Sequence, residues 1–116
     1  MSRSDIYQRL DTAREIELTV KGRKSGKDIP RPVWFVHEDD ILYLMPNYGS
    51  DTNWYKNFLA NQTLKISISG QEISAGGGKA ITDSIKVGDI MNKFSSKYGN
   101  IREYYPKPDV AVEVSL

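Results

Sequence analysis

The chain has 116 residues, with 16 Lys and Arg against 15 Asp and Glu, a net charge of +1. That length fits a single domain over 1–116 with a core of its own, and near-neutrality speaks against a protein that coats nucleic acid or an anionic membrane through its overall charge. With no cysteine, disulfides, thiolate catalysis and cysteine-held metals are excluded. No apolar leader opens MSRSDIYQRL and no run is long enough for a bilayer, so a cytoplasmic protein without stable membrane insertion is expected.

Ser4 is placed to cap a short helix over 4–10, with Ile6, Tyr7 and Leu10 on one side. From Glu15 the period changes to two. Ile16, Leu18 and Val20 face one way and Glu15, Glu17 and Thr19 the other, which predicts a half-buried strand ended by KGRKSGKD. RPVWFVH reads as one second strand, apolar on both faces, with Pro30 and Pro32 near its start. After the turn HEDD, ILYLM reads as a third strand, buried between a barrel interior and a covering helix or subunit.

PNYGS is a loop, and Ser50 or Asp51 is expected to cap the helix DTNWYKNFLAN, which ends at Asn61. Trp54 and Phe58, and likewise Tyr55 and Leu59, are four apart and predict its packing face. TLKISIS turns Leu64, Ile66 and Ile68 inward, and QEISAGGGKAIT continues the sheet, with Gly76–Gly78 marking a bulge or bend. Residues 84–98 predict a helix with Val87, Ile90, Met91, Phe94 and Tyr98 on one stripe and Gly99 at its end. VAVEVSL closes the chain. Six short strands and a glycine bend predict a mainly β (α+β) fold, a small closed or split barrel with flanking helices. The two-faced strands also raise the expectation of a homodimer, unless helices cover the same faces.

His37 is the one histidine, and a triad needs converging partners that the sequence does not show; a surface position at a strand end is expected. Glu38, Asp39 and Asp40 lack the ligand spacing of a calcium loop and read as a solvated turn. GGGK fails as a phosphate loop, since Ile73 stands for its first glycine and Ala80 for its Ser or Thr, and Ile81 breaks GxGxxG.

TVKGRKSGKDIPRP is different. Lys21, Arg23, Lys24, Lys27 and Arg31 face Asp28 alone. Gly22 and Gly26 allow amides to turn outward around an anion, Ser25 adds a hydroxyl, and Arg23 and Lys24 bring a forked and a point charge. Arg31 carries the same charge onto the strand. The plain alternative is a solvated hairpin tip kept polar against edge pairing.

TVKGRKSGKDIPRPVWFV followed by PNYGSDTNWYKNFLAN resembles the deazaflavin-dependent nitroreductase family, within the flavin-binding split barrels related to pyridoxamine 5'-phosphate oxidase. The likeness runs from Leu18 to Gly70 and departs at Phe58 and Gln62, where the family usually has Leu and Pro. It implies a six-stranded antiparallel split β-barrel that binds coenzyme F-420, a deazaflavin with a phosphate and an oligoglutamate tail. Gly22, Arg23, Lys24, Ser25 and Gly26 match the anion-binding turn; Asn47, Tyr48, Gly49 and Ser50 match the loop beside ring and tail; Trp54, Tyr55 and Asn57 match the helix motif. Tyr98, Tyr104 and Tyr105 are the tyrosines available for a substrate pocket. The implied activity is hydride transfer between the deazaflavin and a small quinone- or nitro-like organic acceptor, with no metal and with no catalytic side chain assigned. A flavin mononucleotide (FMN) protein of the same fold and a cofactor carrier without a substrate are the alternatives. A small barrel for single-stranded nucleic acid is disfavoured by the low net charge.

Overall fold

Alternating apolar residues produce seven antiparallel strands, joined by three α-helices. The computed structural model describes residues 3–116, apart from the side chains of residues 3, 4 and 74–76, so the cap expected from Ser4 lies outside the described residues. In chain order the elements are α1 (Arg3–Thr12), β1 (Ile16–Lys21), β2 (Asp28–Val33), β3 (Phe35–Glu38), β4 (Ile41–Leu44), α2 (Asn53–Ala60), β5 (Thr63–Ile68), β6 (Gln71–Ile81), α3 (Ser84–Tyr98) and β7 (Ala111–Ser115). They hydrogen-bond in the order β2-β1-β5-β6-β7-β4-β3.

Six continuous strands were expected and seven are found, because the second one breaks at Trp34. The hydrogen-bonded order is open, and its two ends are β2 and β3, the halves of that broken strand. Pro30 and Pro32 lie inside β2 rather than at its start, and β2 tolerates them as an edge strand.

β6 changes partner at the expected glycines. Gly77 pairs with Thr63 of β5 and Gly78 with Val114 of β7. A Cβ on Gly78 would lie 3.0 Å from Leu64, 3.1 Å from Val112 and 3.2 Å from Phe58, so the bend needs a residue without one. A register shift lies elsewhere in the same pair, between Ile66 and Ser67.

The inward rows of the strands form the main core. Ile16, Leu18, Phe35, Leu42, Leu44, Ile66, Ile68, Val112 and Val114 are buried there and Val33 is partly buried against them. Trp54, Tyr55 and Phe58 of α2 close this core, whereas Leu59 of the expected packing face is half exposed. A second cluster lies on the other side of β3, β4 and β7, where Val87, Ile90 and Phe94 of α3 cover Val36, Tyr43 and Met45. The apolar second face of ILYLM is therefore buried by a helix of the same chain. Asp83 accepts from the Lys86 amide at 3.0 Å to start α3, and Gly99 ends it at φ 86°. Among the described residues no helix is long and apolar enough to cross a membrane.

Candidate functional site

The hairpin between β1 and β2 carries the cationic cluster. The Gly22 amide donates to the Lys27 carbonyl and the Gly26 amide to the Gly22 carbonyl, both at 2.8 Å. These two amides are spent inside the turn rather than turned outward to an anion. Ser25 Oγ accepts from the Lys27 amide at 3.2 Å. Arg23 is spent as well. Its Nη1 donates to Asn57 Oδ1 at 2.7 Å, and its backbone N–H reaches the same oxygen at 3.1 Å. Asn57 is the buried polar residue that ties the hairpin to α2. Lys21 pairs with Asp28 at 2.6 Å, and the Lys21 hydrogen bond holds that carboxyl below its ordinary range. Lys24 and Lys27 remain exposed, with no ion pair among the described residues.

Beyond the hairpin, a cleft of about 380 Å³ opens along β2. Arg31, Asn47, Tyr48, Asn53 and Trp54 line it, with Pro32, Val33 and Thr52. Arg31 pairs across the sheet with the buried Leu18, so it occupies the core-facing row between Ile29 and Val33. Yet Arg31 is exposed. A row that should be covered is open at one residue, and that residue is a cation.

A smaller cleft of about 120 Å³ adjoins the first through Pro32, Val33 and Asn47 and continues to Glu15, Trp34, Tyr104 and Tyr105. The break in the strand puts Trp34 here. Tyr98 stacks on it with ring centroids 4.4 Å apart, Tyr104 tilts against it at 5.0 Å and Tyr105 at 6.3 Å. The three tyrosines thus meet around one tryptophan, but only Tyr104 and Tyr105 line the cleft. Tyr98 repairs the break instead, as its hydroxyl accepts from the Phe35 amide at 3.0 Å and donates to the Arg14 carbonyl at 2.6 Å. Burial raises the Tyr105 hydroxyl far above its ordinary pKa, which keeps it neutral.

The loop after β4 divides between two roles. Asn47 and Tyr48 face the cleft. Gly49 and Ser50 turn away from it. The Ser50 amide and hydroxyl donate to the two carboxylate oxygens of Asp109 at 2.9 and 2.7 Å, and a Cβ on Gly49 would lie 2.1 Å from the Lys107 carbonyl. Neither Ser50 nor Asp51 caps α2. Gly49–Asp51 form a separate 3-10 turn, Thr52 is the N-cap, and its Oγ1 accepts from the Tyr48 amide at 2.8 Å.

His37 is not the surface residue expected. Its side chain is 6% exposed, Nδ1 lies 2.8 Å from Asp11 on α1, and Nε2 is buried without a hydrogen-bond partner among the described residues. Tyr7 meets the imidazole edge-on at 4.7 Å and hydrogen-bonds Asp40. This cluster docks α1 onto β3. Nearby on α3, Lys97 lies 3.5 Å from the Phe35 ring centroid and donates to the Phe35 carbonyl at 3.0 Å. Burial first, then the charge of Arg14, lowers its pKa to about 8, against the opposing pull of Asp11. Among the described residues no group of three His, Asp or Glu is placed to hold a metal ion.

Sequence reasoning missed Glu15, Pro32, Val33, Trp34, Thr52 and Asn53 as cleft residues. Trp34 alone left a signal: a large aromatic in a strand whose neighbours on both sides already fill the two faces.

The sequence over residues 7–115 matches a family described as "Uncharacterized protein conserved in bacteria (DUF2255)". No curated protein matches it. Among solved structures, the fold is similar to an F420-H2 dependent reductase (FDR-A) at 19% identity and TM-score 0.71, covering 88% of this chain and 94% of that one. It is also similar to a Listeria innocua protein described as a "Putative Pyridoxamine 5'-phosphate oxidase", at 16% identity and TM-score 0.71, covering 95% and 89%. A third similar structure is the conserved hypothetical protein Rv2991 from Mycobacterium tuberculosis, at 15% identity and TM-score 0.77, covering 98% and 79%. At these identities the likeness shows a shared fold, an open antiparallel sheet of split-barrel type.

Proposed function

The chain belongs to the DUF2255 family, and we propose that it is a cytoplasmic oxidoreductase that holds a deazaflavin of the F-420 type along β2. The observation that carries this reading is the open row at Arg31, where the barrel leaves a cation exposed in a cleft that Asn47, Tyr48 and Asn53 also line. From Lys27 to Trp34 the chain advances seven residues, roughly 23 Å at ~3.3 Å per residue. A long ligand with an acidic end and a flat end fits that span. Lys24, Lys27 and Arg31 hold the phosphate and acidic tail, and Asn47 and Asn53 offer hydrogen bonds to ring edges. Trp54 and Tyr48 wall the ring from water.

A bound deazaflavin supplies the hydride chemistry, so the protein needs no nucleophile or metal of its own. Orientation of the ring over the smaller cleft is what this chain contributes, with a quinone- or nitro-like acceptor as the starting expectation for that cleft. Flavin mononucleotide offers the same phosphate to Arg31 and is the second reading, supported by the likeness to the oxidase fold. A twofold pairing of chains belongs to this reading, since one similar structure is described as a domain-swapped dimer.

Calorimetric titration of the full chain with F-420 and with flavin mononucleotide tests the reading. One of the two should bind, and Arg31→Ala should weaken it roughly ten- to a hundredfold, the worth of a charge-assisted hydrogen bond. Affinity should also fall with added salt. Binding of neither cofactor, or an unchanged affinity in Arg31→Ala, overturns it.

A further inference from the structure

The smaller cleft is lined by a charge of opposite sign to the Arg31 of the larger one. Glu15 is the one charged side chain that lines it, and no ion pair among the described residues engages that carboxylate. The other walls are the rings of Trp34, Tyr104 and Tyr105, together with Pro32, Val33 and Asn47. Trp34 meets Tyr104 at an interplanar angle of 53° and Tyr105 at 59°, so the rings stand around a hollow instead of stacking shut. Tyr105 is 3% exposed and its hydroxyl has no hydrogen-bond partner among the described residues.

Aromatic faces carry negative electrostatic potential, and a carboxylate beside them adds to it. Such a hollow attracts cations and repels anions. Neutral apolar groups gain only the area term. At about 120 Å³ it holds a head group rather than a whole molecule.

We propose that this cleft recognises a quaternary or protonated alkylammonium group, and that the substrate carried over β2 is therefore an amine-bearing cation. As a statement about the substrate it rests on the cofactor reading above; as a statement about the subsite it does not. Arg31 lies in the adjoining cleft and not in this one. The two ends thus sort charge, anionic groups toward Arg31 and cationic ones toward Glu15. This narrows the quinone- or nitro-like acceptor of the starting expectation to one that carries a positive head.

The probe is choline, with its neutral isostere 3,3-dimethylbutan-1-ol as control, titrated into the full chain without cofactor and followed by tryptophan fluorescence and calorimetry. Choline should bind about tenfold or more tightly than the isostere. Glu15→Gln should weaken choline about tenfold and leave the isostere unchanged. Tyr104→Ala, at a half-exposed position whose loss spares the core, should weaken choline to a similar degree. Arg31→Ala should leave choline binding intact while it weakens the cofactor, which separates failure of this proposal from failure of the cofactor reading. Equal affinity for choline and its isostere, or choline binding unaffected by Glu15→Gln, overturns the proposal.

Discussion

Arg23 and Asn57 lie 34 residues apart, and one carboxamide oxygen of Asn57 receives both the guanidinium and the backbone N–H of Arg23. The cation that looked most like an anion clamp is therefore a fastener between the β1–β2 hairpin and α2. Asn57 is buried, so removing its carboxamide strands two donors. Asn57→Ala should lower stability by ~1–3 kcal/mol, and Arg23→Ala, which keeps the backbone N–H bond to Asn57, by ~0.5–1.5 kcal/mol. A double-mutant cycle in urea should show coupling of ~0.5 kcal/mol or more. Additive effects of the two changes would mean that the pair is not joined in solution.

Gly49 and Gly70 separate backbone strain from crowding. Both have positive φ, 57° and 79°. A Cβ on Gly70 meets nothing within 4 Å, whereas on Gly49 it would come 2.0 Å from the Asp109 carboxylate and 2.1 Å from the Lys107 carbonyl. Gly70→Ala should cost ~1–2 kcal/mol, the price of a left-handed alanine. Gly49→Ala should cost clearly more, because the 107–109 segment must move as well. Equal midpoints for the two variants in denaturant would contradict the packing of that segment.

Tyr98→Phe keeps the ring on Trp34 and removes the hydroxyl. The Phe35 amide then loses the acceptor it has at 3.0 Å. The expected cost is ~1–3 kcal/mol for an unpaired buried donor, measured as a lower urea midpoint at unchanged slope. A variant as stable as the parent would show that the strand break needs no repair.

Lys97 gives a pH-dependent test. Its pKa is lowered from 10.5 to about 8, first by burial. Between those values the unfolded chain binds a proton at this side chain that the folded chain lacks. Its contribution to stability therefore rises as pH climbs from about 8 toward 10.5, and the full cost of burying the charge is present below about 8. Lys97→Met removes that dependence. The stability of the parent relative to the variant should increase from pH 7 to pH 10. A constant difference across that range would place Lys97 in water.

Much of the scaffold was legible because it follows local periods. Ile16, Leu18 and Val20 alternate, and Val87, Ile90 and Phe94 share a helical stripe, so β1 and α3 follow from spacing alone. Gly99 and the Gly76–Gly78 bend follow from backbone chemistry. The errors came from partners distant in sequence. Trp34 breaks a strand because Tyr98, 64 positions later, supplies the hydrogen bond that a strand neighbour would. Ser50 leaves the cleft because Asp109 claims it. His37 is buried because α1 lays Asp11 and Tyr7 over it. Nothing near Ser50 or His37 announces such a contact. For the same reason the charge of the hairpin could be read but not its allocation, with Arg23 used internally and Arg31 left exposed in the core-facing row.

Arg31 and Trp34 ride on a single stretch of backbone, three positions apart. Their separation is limited by three residues of chain, most of it strand, so β2 acts as a ruler for whatever lies along it. Side chains on a strand alternate, and one residue inserted between Arg31 and Val33 would swing Arg31 to the outer face. Two inserted residues would restore it and lengthen the cleft by ~7 Å. The span between the cationic and aromatic ends can thus change only in whole steps of that size, which makes ligand length a discrete property of this scaffold.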